Sequence, residues 1–262
     1  MAGSNIACHV VDKTFLQDGN LFVPAGVRYI DFFKFIDKQL SPQSYFEVGT
    51  ERGMSVRAFR CDAVCVDPQF KIEGDPLERR GQLHFYQMPS DVFFSRYDLR
   101  SIFPRGPDIC FLDGMHRFEY LLRDIANAER ACHKNSIIFL HDCIPAMPRM
   151  TLRTHKIGEA SEGQFQHAWT GDVWRIIPAL RKFRPDLNVL FIDCAPTGLV
   201  AISNLNPNSD ILSANYYAIV KDVQSLNIED FTSPHLLDLA PIVSSRSLMG
   251  QPEDTTLYFN IW

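Results

Sequence analysis

The sequence has little positive charge, no long apolar run and no close pairs of cysteines, and each shortage removes a class of function. Lys and Arg number 26 against 31 Asp and Glu, a net charge of -5 at pH 7. Nucleic-acid faces need clustered Lys and Arg that displace counterions from phosphate, and no such cluster occurs, so no nucleic-acid partner is expected. The longest apolar runs, such as Ser136–Leu140, are strand-sized. That is far below the ~20 residues that span a bilayer, so no membrane partner is expected. The opening MAGSNIACHVVDK lacks a basic stretch followed by an apolar core, and a cytoplasmic location is the expectation. The seven cysteines are odd in number and scattered. Cys65 and Cys110 fall in strand-like runs, where a thiol acts as a small buried hydrophobe, and Cys61 and Cys65 lack the second pair a zinc site needs. Reduced thiols are expected. Internal repeats and low-complexity tracts are also missing.

What remains is the composition of an ordinary globular protein. The chain has 262 residues, 46% apolar and 22% charged, enough for one α/β domain with decorations. Residues 1–40 form an amino-terminal helical segment in which Val27–Leu40 places Ile30, Phe33, Ile36 and Leu40 at helical spacing, and Ser41-Pro42 stops it. Strand-type runs follow at Tyr45–Val48, Ala63–Asp67, Leu83–Gln87, Asp108–Asp113, Ser136–His141 and Val189–Asp193. Helices are expected at Ser55–Phe59, Asp91–Phe94, Phe118–Cys132 and Asp172–Phe183. Strands alternating with helices imply βαβ units and a parallel sheet covered on both faces. Gly198–Ser203 follows Val189–Asp193 too closely for a helical crossover, so those two strands should be antiparallel. The expectation is a doubly wound, mostly parallel seven-stranded α/β sheet over residues 41–203. Residues 204–262, with one helical patch at Tyr216–Leu226, read as a carboxyl-terminal extension.

The sharpest motif is FEVGTERGMS, residues 46–55. It reads as a strand ending in an acid, a glycine turn, and a helix starting near Ser55. Open α/β sheets bind ligands at the carboxyl ends of their strands, where the strand order reverses. Gly49 and Gly53 would let backbone approach a ligand, and a helix start would offer free N–H groups. A dinucleotide site would need G-x-G-x-x-G. Here the spacing is G-x-x-x-G behind Glu47, an acid that would repel a pyrophosphate and suits the sulfonium and amino group of S-adenosylmethionine. Asp67 ends the next strand, placed to accept from both ribose hydroxyls.

FEVGTERGMS, VCVDP, PDICFLDGMHRFEYLLRDI and IIFLHDCIP, in this order, resemble the class I S-adenosylmethionine-dependent methyltransferases of the macrocin O-methyltransferase and cephalosporin-hydroxylase-like type. The resemblance covers about residues 44–145. It implies that Glu47, Gly49, Thr50, Gly53 and Ser55 line the methionine end and Asp67 the ribose, with Asp113 bordering the cofactor. It also places Met88, Pro89, Ser90 and Asp91 at the adenine. Ser90 and Asp91 read equally well as caps of the following helix.

Asp113 and His141-Asp142 end neighbouring strands and could converge beside the transferable methyl. Relatives often hold a divalent metal there with acids; His141 departs from that pattern and would disfavour magnesium among candidate ions. The bland reading of Asp113 and Asp142 is a turn or cap after a strand. His116, three residues past Asp113, matches the family's general base for the acceptor hydroxyl and could instead cap the 118–132 helix. Phe93, Phe94, Trp169, Trp174, Tyr29, Phe32 and Phe33 read mainly as core. The loop 146–170, above all Ala146–Gln166 with Met147, Arg149, Met150, Arg153 and His155, is the candidate substrate lid. The expectation is O-methylation of a small-molecule or glycan hydroxyl, a homo-oligomer being allowed. N-methylation and a silent cofactor-binding module are the alternatives.

Overall fold

The computed structural model describes residues 24–78, 81–154, 168–231, 238–259 and 261. Eight strands form one sheet: β1 (Ser44–Val48), β2 (Asp62–Asp67), β3 (Leu83–Gln87), β4 (Ile109–Leu112), β5 (Ile137–His141), β6 (Asn188–Ile192), β7 (Leu199–Ser203) and β8 (Ile242–Val243). Their order is β3-β2-β1-β4-β5-β7-β6-β8. β1 to β5 run parallel, β7 lies antiparallel between β5 and β6, and β8 joins parallel to β6. The chain winds outward from β1 to β3, then returns to place β4 on the other side of β1. That reversal opens a crevice at the carboxyl ends of β1 and β4.

Alternate residues of each strand feed two cores. Phe46, Val48, Val64, Val66, Cys110, Leu112, Ile138 and Leu140 pack on one face. Against them lie α2 (Ser90–Arg96), α3 (Leu99–Ile102), α4 (Phe118–Ala131), α5 (Ile176–Phe183), α6 (Ile211–Ala214) and α7 (Tyr216–Val223). Tyr45, Cys65, Phe111 and Phe139 face the other way, onto α1 (Tyr29–Leu40), α8 (Ser245–Gly250), Phe259 and Ile261. α9 (Thr255–Tyr258) precedes those last residues. Each fully buried Leu, Ile or Phe contributes about 1.5–3 kcal/mol, so the two layers dominate stability. All six described cysteines are free thiols. Among the described residues no helix is long and apolar enough to cross a membrane.

Three expectations change. The helix expected at Ser55–Phe59 is a single 3-10 turn, Val56–Ala58. In the connection between β1 and β2, α1 fills the face that a longer helix would cover, with Phe33 and Tyr45 both packed on Phe59. The helix expected at Asp172–Phe183 begins as a 3-10 turn, Val173–Arg175, before α5. The sheet has eight strands, not seven, because residues past 204 supply β8 and cover both faces. Of the expected lid, residues 155–167, including His155, lie outside the described residues.

One buried group works against this packing. Asp124 sits on the inner side of α4, enclosed beside Leu121, Leu122 and Ile125. Its Oδ1 has no hydrogen-bond partner among the described residues. Burial, reinforced by the charge of Asp91, pushes its pKa up to about 7 despite the nearby Ser90 hydroxyl and Arg123. The folded state therefore keeps a proton that the unfolded chain releases near pH 4, and stability falls as pH rises from about 4 to 7. Asp124→Asn should accordingly raise Tm at pH 8 by roughly 5 °C, and much less at pH 5. Thermal scans at the two pH values check this; an equal shift at both would assign the effect to packing rather than ionisation.

Candidate active site at the strand tips

β1 delivers Glu47 on the α1 side of the sheet, fully buried. Its Oε2 accepts from the Tyr45 hydroxyl at 2.6 Å and the Ser55 hydroxyl at 2.7 Å, while Oε1 has no partner. Burial raises its pKa, and those hydrogen bonds oppose the shift. Thr50 is buried beside it with its hydroxyl also unbonded. Thus Glu47, Thr50 and Ser55 form one buried polar cluster at the tip of β1.

Both glycines of the motif have positive φ. Gly49 has φ +90, and a Cβ there would lie 2.0 Å from the Asp113 carbonyl oxygen. The absence of a side chain there lets the β1 and β4 loops approach closely. Gly53 has φ +71, and its Cβ would meet only the Ile72 side chain at 3.2 Å, so conformation rather than space requires it. Asp67 ends β2 and holds this loop in shape, accepting from the Glu51 N–H at 2.9 Å and the Gln69 N–H at 2.7 Å. Each carboxylate oxygen keeps acceptor capacity for further donors.

The tips of β4 and β5 bring Asp113, His141 and Asp142 together, with one ligand-type atom from each residue all within 4.8 Å of one another. His141 Nδ1 lies 3.5 Å from Asp113 Oδ1 and 3.3 Å from Asp142 Oδ1. These are ion-pair distances outside hydrogen-bond geometry, and both His141 nitrogens and Asp113 Oδ1 count as unbonded. His116 joins them, its Nε2 3.3 Å from Asp113 Oδ1 and 3.2 Å from Asp142 Oδ2. Its Nδ1 donates to the Trp169 carbonyl at 2.7 Å, which fixes the ring and leaves Nε2 facing the acids. Burial alone would lower the His116 pKa, but the Asp142 charge and the contact with Asp113 outweigh it and hold it at about 9. Burial likewise opposes the charged form of Asp113, yet His141 and His116 keep its pKa below the ordinary carboxylate range. His141 is raised by the same two carboxylates against its own burial.

Asp142 adopts φ +58, a left-handed conformation that a short polar side chain tolerates. Several of the residues around it carry no motif: Thr197 Oγ1 donates to Asp142 Oδ1 at 2.6 Å. Tyr29, the first residue of α1, lays its ring 4.4 Å from that of His141, and Asp113, Asp142 and Glu47 add to burial in raising its pKa. Sequence patterning weighs Tyr29 toward core because its apolar neighbours share its helix. The Trp169 ring lies 5.0 Å from that of His116, and its Nε1 donates to the Leu152 carbonyl. Arg153 ties this region down by pairing with Glu119 and Asp172. Ser90 starts α2 without making a side-chain cap, and Asp91 is engaged by Arg123 through bonds of 2.8 and 2.7 Å. The arrangement offers an anionic pocket, a cluster of oxygen and nitrogen donors suited to a divalent cation, and one imidazole nitrogen directed into it.

No protein-family model matches this sequence, and no curated protein matches it. Solved structures do resemble it. The Podospora anserina methyltransferase PaMTH1 bound to SAH is 12% identical over 67% of this chain and 77% of that one, with a TM-score of 0.46. TomG, an O-methyltransferase of tomaymycin synthesis from Streptomyces achromogenes in complex with SAM, is 12% identical over 68% and 80%, TM-score 0.46. An O-methyltransferase from Bacillus cereus in complex with SAH is 13% identical over 69% and 84%, TM-score 0.41. With β1–β5 parallel in the order 3-2-1-4-5 and an antiparallel β7 set between β5 and β6, this chain has the sheet plan of the class I methyltransferases.

Proposed function

We propose that the chain is an S-adenosylmethionine-dependent methyltransferase acting on a hydroxyl group of a small molecule or sugar. The observation that carries this reading is the meeting of two half-sites in one crevice. Buried Glu47 and Asp67 stand at the tips of β1 and β2, and Asp113, His116, His141 and Asp142 stand at the tips of β4 and β5. A sulfonium donor carries positive charge and an amino group, both served by the unbonded oxygen of Glu47. Methyl transfer is an in-line displacement with a good leaving group, so the protein must chiefly align donor and acceptor and remove one proton.

Asp113, His141 and Asp142 are the residues that would hold a divalent cation. Unbonded Asp113 Oδ1 and the unbonded His141 nitrogens fit that task. A mixed nitrogen and oxygen donor set favours manganese, iron or zinc over magnesium. Such an ion would polarise the acceptor oxygen and hold it near the methyl group. His116 would take the hydroxyl proton at Nε2 once the two carboxylates are engaged elsewhere, its ring held by the Trp169 carbonyl.

Calorimetry on the purified chain should show S-adenosylhomocysteine binding and no NAD binding, with Asp67→Ala weakening the former at least tenfold. Tight NAD binding with no response to S-adenosylhomocysteine would end the reading. Manganese titration should give a saturable site that Thr197→Val weakens by about 10–100-fold and Thr197→Ser restores, since the hydroxyl orients Asp142. Unchanged affinity in Thr197→Val would leave Asp142 outside the coordination sphere. His116→Ala should reduce kcat by roughly 10²–10⁴-fold with cofactor affinity little changed. Near-normal turnover would make His116 a brace for the acids and move the base elsewhere.

A further inference from the structure

Asp124 is a buried acid to which neither the fold nor the proposed chemistry assigns a task. It is 3% exposed, its Oδ1 is unbonded, and its Oδ2 lies 3.8 Å from where a Gly114 side chain would begin. Gly114 follows β4, Val48 ends β1 and borders the same point, and Ser90, just beyond β3, is close enough to act on the Asp124 carboxyl. The loop after β4, beside the tip of β1, and the start of α2 therefore border this carboxyl, on the α2–α4 side of the sheet. The Glu47 pocket lies on the opposite face, with Asp67 at the tip of β2.

From this juxtaposition, and resting on the S-adenosylmethionine reading above, we propose that Asp124, with the Ser90 hydroxyl, reads the exocyclic amino group of the cofactor's adenine. A nucleoside held through its ribose at Asp67, with its amino-acid end at Glu47, leaves its base for the neighbouring corner of the crevice. The adenine amino group is a neutral donor, and an unbonded carboxylate oxygen is its complement. Arg123, the nearest cation in sequence, does not serve this carboxylate. Its guanidinium is committed to Asp91 through two bonds and to the Tyr216 hydroxyl. Asp91, the acid that sequence order offers for the base, is thereby withdrawn from it. A carboxyl kept in an apolar layer without a direct ion-pair partner lowers stability, and such groups concentrate where a ligand completes their bonding. With Asp124 ionised, above pH 7, a 6-oxo purine would turn a lone pair toward the carboxylate and be rejected.

The test is calorimetry of the whole chain at pH 8, where Asp124 is ionised, with S-adenosylhomocysteine and with S-inosylhomocysteine, which carries oxygen in place of the amino group. Wild type should prefer the adenine compound at least tenfold. Asp124→Asn, whose amide can donate to a 6-oxo group, should erase or reverse that preference while the protein stays folded by thermal scan. Asp124→Ala should weaken the adenine compound and leave the inosine compound nearly unaffected. An undiminished preference in both variants would make Asp124 a buried structural acid and overturn the proposal. Failure of the folded wild type to bind either compound would overturn the cofactor reading itself, and this proposal with it.

Discussion

The structure depends on holding two carboxylates, Asp113 and Asp142, close enough to share one imidazole nitrogen in a largely buried setting. Like charges this close repel strongly where water is scarce. Two histidines offset that repulsion in the chain by itself, and the pKa values of Asp113, His116 and His141 are displaced accordingly. The cluster is an arrangement kept under electrostatic tension, and the surrounding architecture is what keeps it from relaxing.

That architecture converges on the site from three distant parts of the chain. The Ala195 carbonyl accepts from the Tyr29 N–H, and the Ala195 N–H donates to the Val27 carbonyl. Asp193 accepts from the Gly26 N–H through its carbonyl and from the Ser245 N–H through its carboxylate, and the Ser245 hydroxyl accepts from the Val27 N–H. Residues 26–29, 193–197 and 243–245 thus form one knot beside the strand tips. The knot sets Tyr29 against His141 and Thr197 against Asp142, so the orientation of both site residues is inherited from contacts far away in sequence.

Most of the sheet was legible because parallel strands buried on both faces write themselves as short apolar blocks, and β1 to β7 fall within a residue or two of their expected bounds. Glu47, Asp67, Asp113, His141 and Asp142 were legible for the same reason: once strand ends are known, polar residues there face the crevice. β8 was not, since two residues carry no period. Nor was the 3-10 turn at Val56–Ala58, whose shortness is set by how α1 packs. Thr197 and the Trp169 carbonyl act across long sequence separations, and no local pattern announces them. Asp124 looks like a solvent-facing position in an amphipathic helix; only the packing of α4 against α2 shows it enclosed. Asp91 reads as an adenine contact or a helix cap until Arg123, 32 residues on, is found paired to it.

The place of β8 bears on how the protein comes into being. Synthesis runs from the amino terminus, and domains tend to consolidate as their segments emerge. β1 to β5, which carry Glu47, Asp67, Asp113, His141 and Asp142, are made well before residues 242–245. Until that short segment leaves the ribosome, β6 has an open edge, and the turn that presents Thr197 lacks its partner at Ser245. The nascent chain therefore holds every acid and imidazole of the cluster before it holds the means to aim them. Competence at the site arrives late, with the last described strand.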